Sequence, residues 1–170
     1  MADDFSLADL HAALDAQRRA RGLTWAQAAR EIGRQVAAVS GRGLSPSTVT
    51  GLSTRGNAEA DGVLQMLLWL ERSPESFARG DRAAAERAAR LPDPGAGRVL
   101  RFDTARLHAA LDARRVERGL TWAQLARELD VGATTLSHLA AGGRTAFPHV
   151  LRLTRWLELP AARFTRGFER

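Results

Sequence analysis

A chain of 170 residues, 45% of them hydrophobic, has room for one or two small domains, and no run reaches the roughly 18 apolar residues of a membrane span. The absence of cysteine excludes a disulfide framework and a thiolate metal site and fits a cytoplasmic protein, while the acidic opening MADDFSLADL lacks the basic and apolar stretches of a secretory signal. All 25 basic residues are arginine against 19 Asp and Glu, a net charge of +6; the missing lysine reads as codon bias of a GC-rich genome, and a modest basic balance is only weak support for a polyanion partner.

Taken in chain order, Phe5 and Ser6 read as a staple residue and N-cap opening a first helix. Thr24 caps a second helix whose inward residues include Ala29 and Ile32. Beyond Gly33, the positions Ala29, Ile32, Val36 and Val39 stay on one helical face until SGRG breaks the pattern, so RQVAAVSGRG predicts either a longer second helix or a longer loop. Ser45 as N-cap and Pro46 in the first turn open a third helix. Trp69, like its counterpart Trp156, is placed in the core, and Ser73 and Pro74 open a short last helix. Residues 81–101 predict a short alanine-rich helix and then a Pro and Gly linker. If residues 81–91 are helical and nine more extend, that linker reaches roughly 46 Å.

The second half repeats the order. Phe102 and Asp103 open a helix whose apolar stripe begins with Leu107, Leu111 and Val116, and Thr121 caps the next, with Leu125, Ala126 and Leu129 inward. A turn at DVG leads to ATTLSHLAAGG, where Leu136 and Leu139 share a face and Gly142 and Gly143 end the helix. Val150, Leu151, Leu153, Trp156 and Leu157 mark a fourth helix, and a short fifth begins at Pro160. His11, His108 and His149 have no metal-ligand spacing and read as surface or half-buried residues.

These halves are copies. LHAALDAQRRARGLTWAQAARE (10–31) matches LHAALDARRVERGLTWAQLARE (107–128) at 18 of 22 positions with an offset of 122 − 25 = 97. From Leu52 and Leu139 onward the offset is 156 − 69 = 87, which locates a ten-residue insertion in the first copy, near 34–43. The domains are therefore 1–80, with the insertion, and 102–170, joined by 81–101. The first holds 9 Arg against 9 acids and the last 11 against 7, so the second copy carries 11 − 7 = +4 and is the better candidate to grip nucleic acid.

Five helices in about 65 residues, and the stretch LTWAQLARELDVGATTLSHLAAGG (120–143) with Ala126 at the helix crossing, resemble the lambda-repressor and Cro (XRE-like) helix-turn-helix family. The resemblance implies an all-α protein of two such five-helix domains in tandem, a bacterial or phage-type regulator of transcription that binds double-stranded DNA. Where the family has glycine in the turn the second copy has Asp130, which tolerates left-handed geometry better than most residues. In the first copy the insertion removes the tight turn. Carried over by position, the base-facing residues are Ala133, Thr134, Ser137 and His138 in the second copy and Ser47, Thr48, Thr50 and Gly51, behind Ser45, in the first. Thr121, Trp122 and Gln124, with Thr24, Trp25 and Gln27, lie near phosphate at the second helix, and Arg144 and Arg55 follow the third helices. The two tryptophans serve either as indole donors there or as helix packing. None of the base-facing residues is an Arg, Asn or Gln, so shape readout and phosphate grip carry much of the specificity.

With the linker's reach exceeding the roughly 34–36 Å between half-sites, one chain can place both domains on successive major grooves of an asymmetric site. A homodimer through the neutral copy and a regulatory protein partner remain open as further partners. No acid, base and nucleophile converge on a catalytic spacing and no phosphate loop follows a strand, so the chain reads as a non-enzyme without metal or cofactor. The competing reading is a protein-interaction or dimerisation scaffold that reuses the same fold without strong DNA binding.

Overall fold

A computed structural model of the chain describes residues 5–80 and 82–169; the opening residues 1–4, Asp81 at the expected linker start and Arg170 lie outside them. In the first copy, α1 (Leu7–Ala20), α2 (Trp25–Ile32), α3 (Arg34–Ser40), α4 (Pro46–Thr50) and α5 (Ala60–Leu70) are followed by a 3-10 turn at Pro74–Phe77. After α6 (Arg82–Arg87) and strand β1 (Val99–Phe102) come α7 (Thr104–Glu117), α8 (Trp122–Leu129), α9 (Ala133–Ala140) and α10 (Phe147–Leu157), a 3-10 turn at Ala161–Phe164 and strand β2 (Thr165–Phe168).

The chain is mostly helical but not all-α: β1 and β2 form a two-stranded antiparallel sheet, with Val99 opposite Phe168 and Phe102 opposite Thr165. The end of the linker is thus a strand, made of residues whose apolar side chains are buried (Val99 1% exposed, Leu100 0%). The fifth helix of each copy is a single 3-10 turn, with Pro74 at its first position in one and Pro160 as its N-cap in the other.

Local signals explain most helix starts. Ser6 accepts a hydrogen bond from Asp9 N and Asp103 from Arg106 N, and Phe5 and Phe102 are buried beside them. Thr24 and Thr121 each form a capping box with Gln27 and Gln124, a reciprocal pair announced by the shared T-W-A-Q. The insertion resolves close to the longer-helix alternative: Gly33 ends α2 and starts α3, and Val39 is buried while Val36 is half-buried. One apolar position was misassigned. Val116 is 61% exposed, because a stripe from Leu107 and Leu111 continues at 114–115, where arginines lie, and residue 116 falls off it.

The copies pack directly against each other, so the linker is no free tether. Ala60 N donates to Thr145 O and Phe147 N donates to Ala58 O, both at 2.9 Å. Ala58 corresponds to Thr145 and Ala60 to Phe147 at the offset of 87, so each contact has its mirror, the signature of a two-fold interface. Helices α5 and α10 meet there, as do the two 3-10 turns. Phe147, fully buried, sits 4.6 Å from the Phe5 ring and 6.1 Å from the Phe102 ring. Helix α5 buries residues on nearly every side, Ala60, Val63, Leu64, Gln65, Met66 and Leu67, as a helix enclosed between two units must. Copy one adds bridges without a mirror: Gln65 Nε2 donates to Leu100 O at 2.8 Å, Asp61 Oδ1 accepts from Phe102 N at 2.9 Å, and Glu75 Oε1 accepts from Ala161 N at 2.7 Å.

Candidate nucleic-acid interface

In the second copy, α8 and α9 cross with Ala126 buried, and the chain reverses through Asp130, Val131 and Gly132. Asp130 takes the left-handed conformation (φ 51°, ψ 48°), as its tolerance for that region predicted. Arg152 Nη1 donates to the Asp130 carbonyl at 2.7 Å and pins the turn to α10. Leu136 and Leu139 bury one face of α9, which leaves Ala133, Thr134, Ser137 and His138 exposed on the other. Ser137 Oγ already donates to Ala133 O at 3.1 Å, whereas the Thr134 hydroxyl is unengaged among the described residues. Arg144 and Arg127 are exposed and make no ion pair among the described residues.

The first copy presents a different third element. Helix α4 is only five residues long and tightens into a 3-10 turn at Gly51–Thr54. Ser45 is its N-cap residue and Pro46 its first position, with Ser45 Oγ 2.8 Å from Ser47 Oγ. Ser45 and Ser47 are exposed, Thr48, Thr50 and Gly51 half-buried. Gly51 lies beneath Arg55, whose Nε would be 3.1 Å from a Cβ built there, so the guanidinium and not the glycine backbone forms that surface. Of the residues assigned to base edges in this copy, Ser47 is thus exposed, and Thr48, Thr50 and Gly51 are partly covered.

Trp25 and Trp122 pack rather than project. Each indole is stacked on one side by a histidine from the first helix, His11 at 5.2 Å and His108 at 4.6 Å. On each ring an arginine stands at 4.8 Å, Arg18 and Arg115, held by Asp15 and Asp112. Neither indole N–H donates to an acceptor among the described residues. Trp69 and Trp156, assigned to the core, are half-buried because their N–H groups reach Glu31 at 3.0 Å and Glu128 at 2.9 Å. Trp69 and then Arg21 hold the Glu31 carboxyl below the usual carboxylate range, and Arg118 and then Trp156 do the same for Glu128. The one acidic residue on each second helix is thereby matched by a cation.

Charge by domain hid the more telling pattern. Residues 32–58 hold Arg34, Arg42 and Arg55 and no acid; residues 131–157 hold Arg144, Arg152 and Arg155 and no acid. The acids that neutralise the first copy are Asp3, Asp4, Asp9, Asp15 and Glu31 before this stretch and Glu59, Asp61, Glu71 and Glu75 after it. A shorter window over the sequence finds this, since potential at a surface is set by charges within about 8–10 Å.

The mirrored backbone contacts bound how far apart the ends of the two third elements can stand. Thr54 is four residues from Ala58 and Ala140 five from Thr145; at about 3.6 Å per residue and about 5 Å across the bridge, their ends lie within roughly 37 Å. Among the described residues no helix is long and apolar enough to cross a membrane and no group of three His, Asp or Glu could hold a metal ion. No family model, no curated protein and no solved structure matches the chain.

Proposed function

We propose that the chain is a sequence-specific DNA-binding regulator of transcription in which two helix-turn-helix units of the lambda-repressor and Cro type are fused as a two-fold pair. The observation that carries this reading is the solvent-facing third helix α9, in an acid-free, arginine-bearing segment that has a counterpart around α4, in two copies joined by mirrored backbone contacts. Helix α9 enters a major groove with Thr134, Ser137 and His138 toward base edges and the Ala133 methyl toward thymine methyls. The N-terminus of α8, with Thr121 and Gln124, meets phosphate, and Arg144 and Arg127 add charge-assisted contacts. In the first copy Ser45, Ser47 and Thr48 line the groove side, Thr24 and Gln27 take the phosphate role, and Arg55 grips the backbone. Because the two third elements differ, the preferred duplex is asymmetric.

Selection of bound duplexes from a random library, with affinity measured over a range of salt, tests the proposal. A bipartite, non-palindromic motif is expected, with affinity falling linearly in log salt. Arg144→Ala weakens all sequences alike and lowers the salt slope by about one contact, whereas Thr134→Ala changes base preference. No enriched motif together with no duplex binding at low salt overturns the reading in favour of a protein-interaction scaffold.

A further inference from the structure

The outer faces of α5 and α10 correspond at the offset of 87, yet they are covered differently. Over α10, Ala84 and Arg87 of α6 close on Thr154, Arg155 and Leu159 and leave about 10 Å³, no more than one water. Over α5, the corresponding Leu67, Leu68 and Arg72 face a cavity of about 470 Å³, walled by the inserted helix α3 and by residues 90–94. Both of those walls lack a counterpart in the second copy. The space is thus the open twin of a site that the protein plugs elsewhere with its own helix.

Its walls are apolar where α5 and the linker supply Leu67, Leu68, Leu91, Pro92 and Pro94. Polar groups converge at its margin. Gln35, half-buried on α3, lines the cavity, and its Oε1 is buried with no hydrogen-bond partner among the described residues. Arg72 and Arg90 are exposed at the rim and form no ion pair among the described residues. Arg72 lies 5.5 Å over the Phe77 ring, a contact that orients the guanidinium without neutralising it. Two acids share the rim, Glu71 and Asp93, and Asp93 Oδ1 is engaged by Gly95 N at 2.8 Å. Volume in this range, apolar walls and a few convergent polar groups are the usual form of a small-molecule site, and a buried acceptor without a donor is unfavourable until one is supplied.

We propose that this cavity binds a small amphipathic carboxylate carrying an N–H donor, of which an N-acyl amino acid is the simplest example. The acyl chain lies against the leucines and prolines, the carboxylate sits between Arg72 and Arg90, and the amide N–H donates to Gln35 Oε1. The site goes beyond the DNA-binding reading and does not depend on it.

Titration of the full chain with N-octanoylglycine, followed by amide resonances in the absence of DNA, tests it. Saturable shifts are expected at the Gln35 side-chain amide and the backbone amides of Leu68, Arg72 and Leu91. Octanoate, with the same charge but no N–H, binds about tenfold more weakly, and octylamine, of opposite charge, does not bind. Gln35→Ala removes the difference between the first two probes; Arg72→Ala with Arg90→Ala, or the exposed Arg90→Ala alone, weakens both carboxylates while the unfolding midpoint stays in place. No saturable shift with N-octanoylglycine, an equal response to octylamine, or affinity unchanged in the arginine variants would overturn the assignment.

Discussion

The turn after the second helix is built in two ways within one chain. In the second copy it is tight, with Asp130 at φ 51° and a continuous eight-residue α9 behind it. In the first, Gly33 has φ −85° and needs no left-handed freedom; a Cβ there would stand 2.5 Å from Leu44 N. The same place in the repeat restricts the residue for different reasons, backbone conformation in one copy and space in the other. The inserted α3 then leaves α4 short and continued as a 3-10 turn, so the two reading surfaces, derived from one ancestor, are no longer equivalent.

The sharpest way to break the comparison is to ask whether the copies are separate at all. Phe147→Ala removes a fully buried ring that touches Phe5 of the other copy and is expected to cost about 3–5 kcal/mol. Denaturant unfolding followed by far-ultraviolet circular dichroism and by tryptophan fluorescence must then show one shifted transition in both signals. Two transitions, with only one displaced, would mean independent units. Gly33→Ala comes next, at about 3 kcal/mol, since the clash is with backbone; the measurement is again the unfolding free energy.

A pH series is expected to have a smaller effect. Burial, offset in part by the Phe102 N–H, raises the Asp61 carboxyl to about 6 from its ordinary 3.8; Glu59 adds to the rise, while Arg101 and Arg144 oppose it. The folded chain therefore holds a proton that the unfolded chain releases near 3.8, and folding takes up a proton between those values. Stability rises by about 2 kcal/mol as pH falls from 7 toward 4, and is lost again as pH climbs through 6. Glu75, also raised by burial and accepting from Ala161 N at 2.7 Å, acts in the same direction across the same interface. Asp61→Asn keeps the acceptor for Phe102 and should flatten most of this dependence; an unchanged slope would remove Asp61 from the account. The mildest change is Asp130→Gly, expected to stabilise the second copy by about 1 kcal/mol by relieving the left-handed conformation, with a lowered thermal midpoint as the contrary result.

What could be read from the letters alone was local. The duplicated helices, their caps at Ser6, Thr24, Asp103 and Thr121, the left-handed Asp130 and the outward face of α9 all follow from contacts three or four residues apart, and such contacts are written in the spacing of the sequence. The capping role of Gln27 and Gln124 is equally legible in T-W-A-Q, where the glutamine stands three residues after the capping threonine.

Tertiary structure alone decided where the copies meet, that the end of the linker is a strand and that one of two matching faces stays open. Each depends on residues dozens of positions apart, such as Gln65 with Leu100 and Phe5 with Phe147. The choice among such partners is made by the sum of many small burial terms over the whole surface, which no short pattern of residues records.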